Sequence, residues 1–112
     1  MIPLLALALL AAEPAPGLGD AVQALQAGRM EQARLILDAA VKAGVEGQEI
    51  DRLLAEHAFR TGNWTVALKR YERLVAMSPN ESLTLERAGI AAFHVGNLQR
   101  STAALTAATT IP

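Results

Sequence analysis

A chain of 112 residues has room for one domain or a short repeat array. Its hydrophobic content of 52%, drawn mainly from Ala and Leu with only four aromatic residues, excludes disorder as the main state and selects an all-α fold. Ten basic and eleven acidic residues leave a net charge of −1, which excludes the one-sided positive field of a non-specific nucleic-acid binder; the absence of Cys excludes disulfides, thiolate metal sites, a cysteine nucleophile and an N-terminal lipidated Cys.

In chain order, residues 1–12 come first as a separate segment, in which Ile2 to Ala12 form an uncharged run of eleven. The run is too short for a membrane span, which takes about 20 residues. It fits the apolar segment of a secretory signal peptide, and so predicts a periplasmic or secreted protein. Two features depart from that pattern: no Lys or Arg precedes the run, and a cut after Ala12 places Leu10 where a small residue is preferred. A mis-assigned start or an apolar N-terminal helix in a cytoplasmic protein is the competing reading. Residues 13–19, with Pro14, Pro16, Gly17 and Gly19, read as a linker.

Six helices are then expected. The first covers Ala21 to Ala27, with Asp20 as its N-cap and Gly28 at its end. The second runs from Met30 to Lys42 and is closed by Gly44, and the third takes Glu49 to Thr61. Asn63 is placed to cap a fourth over Trp64 to Met77. Ser78 and Glu81 have capping-box spacing around Pro79 at a first helical position, with Asn80 as the other candidate cap, ahead of a fifth helix over Ser82 to Val95. The sixth covers Leu98 to Thr109.

These helices repeat. Gly28, Gly62 and Gly96 lie 34 residues apart, as do Ala33, Ala67 and Ser101; Leu37, Tyr71 and Leu105; and Ala40, Leu74 and Ala108. The period defines units at about 20–47, 48–81 and 82–112. A helix–turn–helix unit cannot bury its apolar face alone, so neighbouring units must stack to make the core. The small column at Ala33, Ala67 and Ser101 marks where paired helices cross closely, and Gly89 has the same use in the third unit.

The middle unit resembles the tetratricopeptide repeat family. The resemblance is carried by Leu54-Ala55 and Ala58 in its first helix, Trp64 after the turn, Ala67, Leu68, Tyr71 and Leu74 in its second, and Pro79-Asn80 at its close. Ala88-Gly89 and Ala92 continue the pattern in the third unit, while the first is degenerate, with Val45 where a closing proline would stand. The likeness extends over residues 20–112 and implies a right-handed α-solenoid that binds a protein or peptide along a concave groove lined by the first helices. Carried over position by position, the groove residues are Glu49, Arg52, Glu56, Phe59 and Arg60 in the middle unit and Leu83, Glu86, Ile90, Phe93 and His94 in the third. The first unit contributes Val22, Leu25 and Gln26. Leu25, Phe59 and Phe93 share the 34-residue spacing and are expected to form an apolar stripe; the competing reading is that Phe59 and Phe93 pack between units. Arg52 and Arg60 are expected to pair with Glu49 and Glu56 along their own helix. No Lys/Asn/Arg cluster of the kind that grips a C-terminal carboxylate is present.

Chemistry is not written into the sequence. His57 and His94 have no neighbours at metal-ligand spacing, and there is no phosphate loop, nucleophile elbow or metal motif. A non-catalytic scaffold without cofactors is therefore the expectation. The signal-like start and Ala-rich composition add, by analogy, a role in bacterial envelope assembly of the pilus or secretion type. Leu98, Ala104, Leu105 and Ala108 on the last helix are expected to leave apolar surface partly bare, which predicts a partner, self-association, or the structural end of a longer array whose activity lies elsewhere.

Overall fold

The computed structural model describes residues 17–112; the expected signal segment and the first part of the expected linker lie outside the described residues. Six helices follow one another: α1 Leu18–Gln26, α2 Met30–Lys42, α3 Gln48–Arg60, α4 Trp64–Met77, α5 Ser82–His94 and α6 Leu98–Thr110. They form an all-α helical repeat solenoid, in which α1–α2, α3–α4 and α5–α6 are the three helical hairpins.

The turn between the two helices of each hairpin is made the same way three times. Gly28, Gly62 and Gly96 have φ of 77°, 77° and 85°, a left-handed backbone that side chains with a Cβ rarely adopt. The glycine N–H groups donate to the carbonyls of Leu25, Phe59 and Phe93, and the next N–H groups, of Arg29, Asn63 and Asn97, donate to Ala24, Ala58 and Ala92. This paired bonding is the Schellman arrangement, which satisfies the last carbonyls of the first helix while turning the chain back.

Helix starts depart from expectation at three places. α1 begins three residues early, after Gly17 rather than Asp20, because Leu18 has a place in the core and Asp20 then sits in the first turn, where the helix dipole favours an acid. Leu18 and Gly19 are thus helical rather than part of a linker. Asn63 makes no side-chain capping bond, whereas Asn97 accepts the backbone N–H of Arg100 at 3.1 Å. Before α5, the N-cap is Glu81; Ser78 and Pro79 lie outside the helix, and the capping box does not form because the Glu81 carboxylate is taken by Arg52 and by the Thr84 hydroxyl.

The repeated columns are the core. Ala33, Ala67 and Ser101 are buried, as are Ala40, Leu74 and Ala108. Where Gly89 passes α6, a Cβ on it would stand 2.7 Å from Leu105 Cγ, so α5 and α6 approach one another only because that carbon is missing. Core material falls into two clusters. One joins Leu18, Ala21, Ala24, Leu25, Ala33, Leu37 and Ala40 to Ile50 and Leu53 of α3; the other joins Ala55, Ala58, Ala67, Leu68, Tyr71 and Leu74 to Ala88, Ala91 and Ala92 of α5. Each cluster therefore spans one unit and the first helix of the next. α4 lies closely along α5, whereas α2 meets α3 far more sparingly.

Candidate functional site

Between α3 and α5 the structure opens a cleft of about 180 Å³, lined by Arg52 and Glu56 of α3, Tyr71 of α4, and Leu83, Thr84 and Arg87 of α5. Its upper side is fixed by an ion pair: Arg52 Nη2 stands 2.7 Å from Glu81 Oε2, and Thr84 Oγ1 donates to the other carboxylate oxygen at 2.8 Å. Those two donors hold the Glu81 carboxyl below the usual carboxylate range, and the Arg52 guanidinium is raised in turn. At the base, burial pushes the Tyr71 phenol above its ordinary value.

Arg87 is the residue of this cleft that its sequence context does not single out. Its guanidinium carbon lies 4.3 Å above the centre of the Phe59 ring, while its Nη1 is buried with no hydrogen-bond partner among the described residues. The Tyr71 phenol, which also lines the cleft, stands close enough to feel the charge of Arg87 and a hydrogen bond from it, so the guanidinium is held between a ring face and a hydroxyl. Glu56 forms no ion pair among the described residues, and Leu83 is 63% exposed at the rim. No motif search finds Arg87, because its value comes from a neighbour 28 positions away on another helix.

The expected groove residues divide into two sets. Arg52, Glu56 and Leu83 are gathered in the cleft, and Glu49, Glu86 and Ile90 stay on the surface of their helices without joining it. Glu49 instead borders a separate hollow beside Leu18 and Ile50. The rest, Phe93 excepted, go to the seams between units. Leu25 is 1% exposed and sealed in the first cluster, so it is removed from the expected stripe. Phe59 is half-buried, meeting Trp64 and Tyr71 edge-on at 5.2 and 6.1 Å between ring centres. His94 stacks on Trp64 at 3.9 Å with the rings 6° from parallel. Phe93 alone of the stripe is exposed, at 58%. Leu25, Phe59 and Phe93 therefore share a position on the face that meets the next unit, and it is covered only where a described unit follows.

The expected pairing within α3 does not form either. Arg52 reaches forward to Glu81, and Arg60 reaches back to donate to the carbonyl of Leu25 at the end of α1. A cation at a helix C-terminus meets the negative end of the dipole and takes the second lone pair of a carbonyl that already accepts the Gly28 N–H, which a Glu on the same helix does not match. His57 Nε2 lies 3.0 Å from the Met30 carbonyl on the same seam. Among the described residues no group of three or more His, Asp or Glu is placed to hold a metal ion, and no helix is long and apolar enough to cross a membrane.

A family model described as tetratricopeptide repeat matches residues 18–82 and again residues 52–111. The chain belongs to the tetratricopeptide repeat family. The two matches overlap through the middle unit, which pairs with its neighbour on either side, as the structure does at its two seams. No curated protein and no solved structure gives a significant match. Repeats of this family generally mediate interaction between proteins, and the chain is accordingly a protein-interaction module.

Proposed function

We propose that the array is a scaffold that takes an extended or helical segment of another protein across the first helices, anchored in the cleft between α3 and α5. The observation that carries this reading is the cleft itself, which has the Arg87 guanidinium in its lining and an apolar, exposed rim at Leu83. A bound segment would supply a carbonyl or carboxylate to Arg87 and an apolar side chain to Leu83, a combination of one charge-assisted bond and one apolar anchor. Glu56 on the facing wall disfavours a strongly acidic segment and gives the site a choice between partners. The uncharged run from Ile2 to Ala12 supports an envelope location and, with it, an assembly role there; N-terminal sequencing of the mature protein decides whether the run is removed.

The test uses the full chain as bait against envelope extract, with a Leu83→Glu/Glu56→Lys variant beside it. Both substituted positions are on the cleft wall and outside the two core clusters, so circular dichroism should be unchanged. A partner held by the wild type and lost by the equally helical variant establishes the cleft as the working surface. Capture of the same proteins by both rejects it.

A further inference from the structure

Unpaired charge is sorted by helix in this array. On the second helix of each hairpin every carboxylate has a cation: Glu31 and Asp38 of α2 meet Arg34, and Glu72 of α4 meets Arg100. On the first helices only Asp51 does, shared by Arg70 and Arg73 of α4. Asp20, Glu49, Glu56 and Glu86 form no ion pair among the described residues. Cations show the opposite pattern. Those on the first helices are all engaged, Arg52 by Glu81, Arg60 by a carbonyl and Arg87 by the Phe59 ring. Lys42 and Lys69, which have no acidic partner among the described residues, are on second helices.

Two of the unpaired acids have a local reason. Asp20 and Glu49 stand in the first turns of α1 and α3, where the helix dipole favours them. Glu56 and Glu86 stand beyond the first turn, where the dipole offers nothing, and Glu56 lines the cleft between α3 and α5. Seven positions separate Glu49 from Glu56, which puts them on one side of α3 about 10 Å apart. Leu83, Glu86 and Ile90 of α5 hold the repeat positions of Glu49, Arg52 and Glu56. One wall of the groove is therefore edged with carboxylates, and the other carries an apolar pair at the same spacing around a third carboxylate.

We infer that the segment this cleft takes is basic and amphipathic, with Lys or Arg turned toward α3 and an apolar side chain turned toward Leu83; the inference rests on the reading of the cleft given above. Across the cleft and the helix faces beside it, Glu49, Glu56, Glu81 and Glu86 stand against Arg52 and Arg87, an excess of two carboxylates in a chain whose net charge is only −1. Both guanidiniums are already committed, so the excess falls on Glu49, Glu56 and Glu86. A lysine or arginine of the partner meets these with a charge-assisted bond, whereas an acidic segment or a nucleic acid meets like charge. Leu83, 63% exposed, asks in addition for an apolar side chain, which a free cation cannot supply.

Two helical peptides of about 14 residues, four turns long, test the inference; they carry the same leucines and differ in having lysines or glutamates beside them. In calorimetric titration of the full chain at low salt, the lysine peptide should bind at least about tenfold more tightly than the glutamate peptide, and its affinity should fall as salt is added. Glu56→Gln/Glu86→Gln should weaken the lysine peptide at least about fivefold with helical circular dichroism unchanged. Glu31→Gln/Glu72→Gln removes the same charge from the second helices and should leave its affinity close to the wild-type value. Equal weakening by the two variants, no weakening by either, or no binding of the lysine peptide at about 1 mM would each overturn the inference. A preference for the glutamate peptide that Leu83→Gln abolishes would also overturn it, while leaving the cleft as the docking site. Binding of the lysine peptide that Leu83→Gln leaves untouched would remove the cleft and the inference together.

Discussion

The two internal seams occupy the same repeat positions and are built from different chemistry. Between the first and second units the filling is aliphatic, from Leu25, Leu37, Ile50 and Leu53, and the polar links run from side chain to backbone, from Arg60 to the Leu25 carbonyl and between His57 and the Met30 carbonyl. Between the second and third units the filling is aromatic, and its links are ring to ring and cation to ring, with an ion pair from Arg100 to Glu72 on the exposed side. The difference extends to the second helices. α4 is drawn along α5, whereas α2 and α3 part around a cleft of about 470 Å³ that borders Val41, Val45, Ile50 and Leu54. A repeat column therefore fixes where a side chain sits and leaves open what holds it there.

The strongest test of that contrast truncates one column at each unit. Leu25→Ala should cost about 2–5 kcal/mol, as for other sealed core leucines, because the position is covered on all sides. Phe93→Ala, at the same position on the uncovered unit, should fall within about 0.5 kcal/mol of the wild type. Equal losses in urea denaturation would show that the column does not sit at a seam. Next in size is Ala67→Leu, which forces a larger side chain into the fully buried crossing of α3 and α4 and should cost about 1–3 kcal/mol by the same measurement.

Smaller effects sharpen the chemistry of the aromatic seam. Trp64 is the only tryptophan, so its fluorescence reports on that seam alone. Removing its stacking partner with His94→Ala should shift the emission to longer wavelength and cost about 0.5–1.5 kcal/mol, the range for aromatic pairs. A Leu53→Ala change in the other seam should leave the folded-state emission where it is. The smallest expected effects come from pH. Glu81 is held below the usual carboxylate range by Arg52 and Thr84, so its contribution is present above that range and is lost as pH falls through the depressed value. Glu81→Gln should remove this acid-side loss. Tyr71, held above the ordinary phenol value by burial, acts in the other direction: its share of stability is whole below about pH 10 and is lost as pH rises beyond it.

Much of the fold was legible because it rests on short-range rules. Gly28, Gly62 and Gly96 announced the three turns, and the small residues at Ala33, Ala67 and Ser101 announced the crossings. What escaped was decided across units. Leu25 belongs to the same column as the exposed Phe93, and nothing in its spacing says that α3 covers one and no described helix covers the other. Arg60 had Glu56 four residues away and still took the Leu25 carbonyl, since a helix end offers a carbonyl with a spare lone pair and a favourable dipole. Ser78, Pro79 and Glu81 had the spacing of a capping box, but the carboxylate was claimed from α3. Arg87 is the clearest case, a mid-helix residue without any motif whose character is set by Phe59 and by the cleft beside it.

The sparing contact between α2 and α3 bears on how the molecule comes apart. In a solenoid, stability is close to a sum of unit terms and nearest-neighbour terms, so a thin junction divides one cooperative transition into two. The α1–α2 hairpin, joined mainly through Leu25, Leu37, Ile50 and Leu53, is the segment with the least to lose by opening. Amide protons along α2 should then exchange with solvent sooner than those along α4, tracing a gradient of fraying that runs from the first hairpin inward.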